Sequence, residues 1–162
     1  MRSAGPIQNG MIGFYAHLNQ LNNAAMLIKV GFTDNSGNWR LWFELDTDVD
    51  NWWRVKADDG AGGTSSTATA IASQALEETH LEMAIDPTNN SNVGIIMPTI
   101  EVAGVKEGLG WPGIVLPGGG ATFIGSFKLA CLCQSRSNLS KVYDIDFWEA
   151  WSDELIHAGA SS

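Results

Sequence analysis

The stretch WRLWFEL at 39–45 sets Trp39, Leu41, Phe43 and Leu45 on one side of an extended chain and Arg40, Trp42 and Glu44 on the other. Two-residue alternation of this kind marks a strand with one buried face, because successive side chains of a strand point to opposite sides of the sheet. The pattern recurs along the chain. MLIKVGF at 26–32 precedes it across the turn TDNSGN, and WWRVKA at 52–57 follows the acidic turn DTDVDN, with Trp53 and Val55 on the expected inner face. That pair reads as a hairpin. THLEMAID at 79–86 sets Leu81, Met83 and Ile85 against His80, Glu82 and Ala84, and PTNNSN then turns the chain into VGIIMPTI. FKLACLCQ at 127–134 and KVYDIDFWEAW at 141–151 read as a second hairpin-like pair around SRSNLS.

Between these strands the chain is rich in turn formers. DDGAGGTSST at 58–67 is expected to be a flexible loop, and residues 103–122, dense in Gly and Pro and without a period, form the longest irregular stretch. Long loops in compact domains are often functional or interfacial, and assembly contacts are expected of this one. ASQALEET at 72–79 is the one helix candidate, with a further turn at SDELIHA. Short strands, Gly-rich turns and no helix–strand alternation give an all-β, two-sheet antiparallel sandwich or jelly roll. The 162 residues suit one domain, 1–162, with an N-terminal arm over about 1–10 and a C-terminal tail over about 152–162.

Nine Lys plus Arg against eighteen Asp plus Glu give a net charge of −9, with the basic residues scattered. That balance argues against nucleic acid and against an anionic membrane as partners. No signal-peptide pattern opens the chain, and no run of about eighteen apolar residues occurs in it, so neither secretion by a cleaved signal nor a membrane span is expected. Cys131 and Cys133 sit two apart on a strand, pointing the same way, and read as buried thiols rather than a disulfide.

The run from 39 to 86, with FKLACLCQSRSNLSKVYDIDFWEAW at the end, resembles concanavalin A-like lectin/glucanase sandwiches, and more narrowly the lectin-like domains of bacteriophage virion proteins. The positions that carry the resemblance are Phe43, Asp46, Asn51 and Trp52, then His80, Leu81, Met83 and Ile85, then Asp144, Asp146 and Phe147. It covers roughly 26–86 and 123–151. Two departures stand out. Such domains carry further N-terminal strands, for which little room is expected here, and 93–122 shows no simple strand-turn-strand. A missing strand implies a trimmed sandwich or an edge completed by a neighbouring subunit.

Several constellations bear on chemistry. DIDFWE matches the laminarinase-type motif E-x-D-x-x-E at Asp146 and Glu149 but has Asp144 in place of the nucleophilic Glu. Retaining hydrolysis needs its two carboxyl groups about 5–5.5 Å apart, and unbroken strand parity sends Glu149 inward, opposite to Asp144 and Asp146. A bulge would undo that parity, so position weighs more: the motif lies about a dozen residues from the C-terminus, with little chain left to build a cleft, and a closing strand is favoured over a catalytic one. Asp46, Asp48 and Asp50 open like a calcium loop, but Asn51 and Ala57 stand where the Gly and Glu of an EF-hand belong, so a hairpin turn is expected. His17, His80 and His157 lie far apart in sequence without partners at ligand spacing, so no metal and no cofactor is expected.

Trp42 and Trp52 fall on the outer parity of adjacent strands beside Arg40, Glu44 and Arg54, and with Trp111 and Trp148 they are the candidate residues for stacking sugar or meeting a second subunit. The interface is favoured. The resemblance implies a non-enzymatic virion structural protein, capsid decoration or head surface first and fibre or spike tip next. Its expected partners are itself, other virion proteins and a host-surface glycan. A carbohydrate-binding module is the alternative, and a glycosidase using Asp144, Asp146 and Glu149 ranks third.

Overall fold

The computed structural model describes residues 12–19, 24–73, 77–86, 95–108, 114–115, 128–137 and 144–152. These hold β1 (Ile12–Asn19), β2 (Met26–Thr33), β3 (Trp39–Asp46), β4 (Trp52–Asp58), β5 (Thr64–Ala72), β6 (Glu78–Asp86), β7 (Ile95–Val102), β8 (Val105–Gly108), β9 (Ile114–Val115), β10 (Lys128–Ser135) and β11 (Asp144–Ser152), and no helix. Two antiparallel sheets pack face to face as the expected sandwich. One has the order β11-β1-β6-β7-β8, with β9 also on β7, and the other has the order β10-β2-β3-β4-β5. The chain crosses between sheets at β1–β2, β5–β6, β9–β10 and β10–β11, the traffic of a jelly roll.

Alternation predicts the core well. Leu41, Phe43, Leu45, Trp53, Val55, Leu81, Met83 and Ile85 are all buried between the sheets. Phe14 of the first sheet meets Phe32 and Phe43 of the second edge-on, with ring centroids 5.3 and 6.0 Å apart. Such T-shaped pairs set a ring's positive edge against a negative face and join the layers beyond what area burial provides. Cys131 and Cys133 are partly buried against this core rather than joined in a disulfide, and burial raises the Cys133 thiol above its ordinary value.

Several expectations are corrected. The chain does supply an N-terminal strand: β1 lies between β11 and β6 and buries Phe14, Ala16 and Leu18. Its glycine and alanine dilute the apolar alternation, which hides it in sequence. Residues 64–67 are strand rather than flexible loop, and of the nine residues of β5 only Thr69 and Ile71 are buried, so this edge strand has almost no apolar face to detect. The helix reading over 72–79 fails at both ends, where β5 closes at Ala72 and β6 opens at Glu78; residues 74–76 lie outside the described residues. Within 93–122, β7 and β8 do form strand-turn-strand, closed by Ala103 and Gly104 with φ of 50° and 77°. Positive φ at both central residues is the requirement of a two-residue type I′ hairpin. Finally, β10 and β11 are not a hairpin: β10 pairs with β2 and β11 with β1, so the two cap opposite sheets. The proposed arm over 1–10 and the tail beyond Ser152 lie outside the described residues.

Candidate functional site

The outer face of the five-stranded sheet is built around Glu44. Register sets Lys29 on one side of it and Arg54 on the other, with Trp42 opposite Gly31 and Lys56. The Glu44 carboxylate accepts hydrogen bonds from Lys56 and from Trp42 Nε1, the latter at 3.0 Å, and Lys29 Nζ stands 3.5 Å away. Burial pushes this carboxyl upward, but the bonds from Lys56 and Trp42 and the two ammonium charges outweigh it, and its pKa lies below the ordinary value.

Lys29 also lies over both Trp39 and Trp42, at 5.8 and 5.2 Å from the ring centroids, and the two rings meet at 6.1 Å. A cation above two indoles holds them in place. At Trp42 the β3 backbone comes close to Gly31: a Cβ there would stand 2.5 Å from the Trp42 Cα, so only glycine admits this approach. Trp42 is 9% exposed, which removes it as a stacking platform.

Trp39 corrects the alternation that placed it inward. Phe32 pairs with Leu41 and Thr33 with Trp39, so the ladder slips by one residue at Arg40. A bulge of that kind re-aims the side chain before it, and Trp39 joins the outer face, partly exposed. There it walls a cleft of about 380 Å³ with Asn38, Arg40, Asp58, Gly60 and Gly62.

Both flanks of the cleft are fixed by short-range hydrogen bonds. Asp34 accepts from the Asn38 backbone N–H at 3.0 Å and from its Nδ2 at 3.1 Å. Asp59 accepts from the N–H groups of Ala61 at 2.7 Å and Gly63 at 2.8 Å, and bonding to these donors, with Ala61 foremost, holds its pKa below the ordinary carboxylate value. Arg40 donates to the Asp59 carbonyl. The result is an aromatic wall beside an amide, a guanidinium and a carboxylate, with Trp39 and Arg40 at the start of β3, Asp58 at the end of β4 and Asn38 on the adjoining turn.

The other sequence candidates scatter. Trp52 is 42% exposed but stands four residues from the register partner of Trp42, roughly 13 Å along the strand, so the two make no joint platform. Arg54 is engaged by Asp50 through both carboxylate oxygens, one at 2.8 Å. Trp111 and the side chains of Trp148, Asp144 and Asp146 lie outside the described residues. The acidic turn behaves as a turn: the Asp46 carbonyl accepts from Val49 and Asp50, and the Asp46 carboxylate pairs with Arg136 at 2.8 Å. The β1–β11 ladder skips Asp146, and this bulge puts Glu149 opposite Tyr15 and exposed, so the parity objection to DIDFWE falls. The histidine expectation is also corrected. His17 and His80 are direct register partners on β1 and β6, with rings 4.3 Å apart.

No family model matches this sequence, and no curated protein matches it. Among solved structures, the fold is similar to that of an engineered GH43 glycoside hydrolase with endo-xylanase and exo-arabinofuranosidase activity, at TM-score 0.55 and 13% identity over 92% of this chain. The chain spans 30% of that hydrolase's length. A tetrameric galectin from the ball sponge Cinachyrella sp. gives TM-score 0.49 and 10% identity, covering 93% of this chain and 98% of that one. The expectation that the chain is not an enzyme is corrected by the first match: this sandwich occurs within an enzyme, and a sandwich does not by itself mark a chain as non-catalytic.

Proposed function

We propose that the protein binds carbohydrate, in the cleft walled by Trp39. The observation that carries this reading is the cleft's make-up: a partly exposed indole beside Asn38, Arg40 and Asp58, where strand ends meet hydrogen-bonded turns. A pyranose offers an apolar C–H face and a rim of hydroxyls. The first stacks on an aromatic ring, and the second pairs with amide, guanidinium and carboxylate groups, the mix of apolar wall and few oriented polar groups that small-ligand sites use. Preset turns lower the ordering cost of binding. Titration calorimetry against a panel of neutral oligosaccharides tests it. Trp39→Ala is expected to weaken binding about fivefold, since stacking is worth on the order of 1 kcal/mol, whereas Trp52→Ala leaves it unchanged. Equal affinity in Trp39→Ala, or no binding across the panel, sinks the reading.

A second reading, the oligomeric virion subunit implied by the sequence resemblance, is favoured by one feature. Among the described residues β5 pairs only with β4, and its nine residues TSSTATAIA include no charge and no proline. Edge strands are usually blunted by such residues because their unpaired backbone groups accept another strand. Exposed Val49 and Trp52 lie at the same end of β4, where Trp52 pairs with Ala72. The role within a particle, capsid surface or fibre, rests on the resemblance.

A further inference from the structure

The outer face of the other sheet carries a group that neither the glycan nor the assembly reading uses. β1 and β6 pair so that His17 is opposite His80, and Asn19 is the backbone register partner of Glu78 two residues further along. Glu78 Oε2 lies 3.4 Å from His17 Nε2 and 3.8 Å from His80 Nε2, and one donor atom from each of the three residues falls within 4.8 Å of the others. The imidazoles stand at 90° to one another.

We propose that His17, His80 and Glu78 bind one divalent transition-metal ion of the zinc class. Four-coordinate zinc holds nitrogen and oxygen ligands at about 2.0–2.1 Å, so neighbouring donors in a tetrahedron are roughly 3.3–3.4 Å apart. The His17–Glu78 separation is at that value as it stands, rotation of the exposed Glu78 shortens the one to His80, and rotation of the imidazoles brings their nitrogens together. Two imidazole nitrogens and one carboxylate oxygen favour zinc over magnesium or calcium, which take oxygen ligands.

A second observation points to a ligand. His80 Nε2 is buried and has no hydrogen-bond partner among the described residues, an arrangement that costs free energy unless something fills it. It lies beside a cavity of about 300 Å³ lined by Glu77, Glu78, His80, Glu101, Ala103 and Gly104. Three protein ligands leave a fourth position, and this cavity gives it room for water or an oxygen donor. Both histidines sit on central strands of the sheet, which keeps the site rigid, while Glu78 at the strand end adapts.

Equilibrium dialysis of the tag-free full chain against zinc chloride in a non-chelating buffer, with metal analysis, tests the proposal. One ion per chain is expected. His80→Ala and His17→Ala are expected to abolish that uptake, and Glu78→Gln, a change at a largely exposed side chain that leaves the fold intact, to weaken it at least about tenfold. Cobalt(II) in place of zinc is expected to give the intense visible bands of a tetrahedral site in the parent chain and not in His80→Ala. His157→Ala serves as the control and retains the ion. Absence of stoichiometric uptake overturns the proposal, as does undiminished binding in Glu78→Gln, or loss in His157→Ala with retention in His80→Ala.

Discussion

Glu44 shows how much one residue on a sheet surface can organise. Its side chain is 10% exposed, and its carboxylate meets Lys29, Lys56 and the Trp42 N–H together. Because its pKa is lower folded than its ordinary 4.5, its contribution to stability is fully present above that value and is lost as pH falls through the lower folded one. Glu44→Gln is expected to destabilise by about 1–3 kcal/mol near neutral pH, since two lysines then share a neutral neighbour. Its stability should also fall less steeply with acid than the parent's. Urea titrations over a pH series measure both, and a variant with the parent's acid slope would show that Glu44 is not the group responsible. The residue's own type and neighbours in sequence do not reveal this: Lys29 and Lys56 reach it only through strand pairing.

At the scale of the element, the β7–β8 hairpin is closed by a turn its sequence only half supports. Gly104 accepts positive φ freely, but Ala103, at φ 50°, carries a Cβ into the left-handed region. Asparagine tolerates that region better, and Asn-Gly is the preferred type I′ pair. Ala103→Asn is therefore expected to raise stability by about 1 kcal/mol, read as a shift of the urea midpoint at unchanged slope. A lower midpoint would exclude the type I′ turn. The same half-support hides β8 within the Gly- and Pro-rich stretch 103–122, where it is four residues long and opens on the exposed Val105. β1 and β5 were hidden for a related reason: small or polar residues weaken the period on which strand reading depends.

For the whole molecule, assembly turns on whether the β5 edge pairs with another strand. If its edge pairs with another copy, light scattering across a concentration series gives a multiple of one chain's mass, and Ser66→Lys, a charge placed on an exposed position of that edge, returns it to a monomer. A parent chain that is monomeric throughout removes edge pairing and leaves Val49 and Trp52 as ordinary exposed apolar residues.

The sequence alone determined the all-β class, the inward sets of β3, β4 and β6, and the turn character of the acidic 46–51 segment, because the side of a strand on which a residue falls follows from local alternation. Only the tertiary structure decided that Trp39 turns outward at a bulge, that Trp42 is buried opposite Gly31, and that His17 meets His80. Each of these depends on which strand lies alongside and in what register, and pairing between segments distant in the chain is set by the packing of the two sheets rather than by any period within one of them.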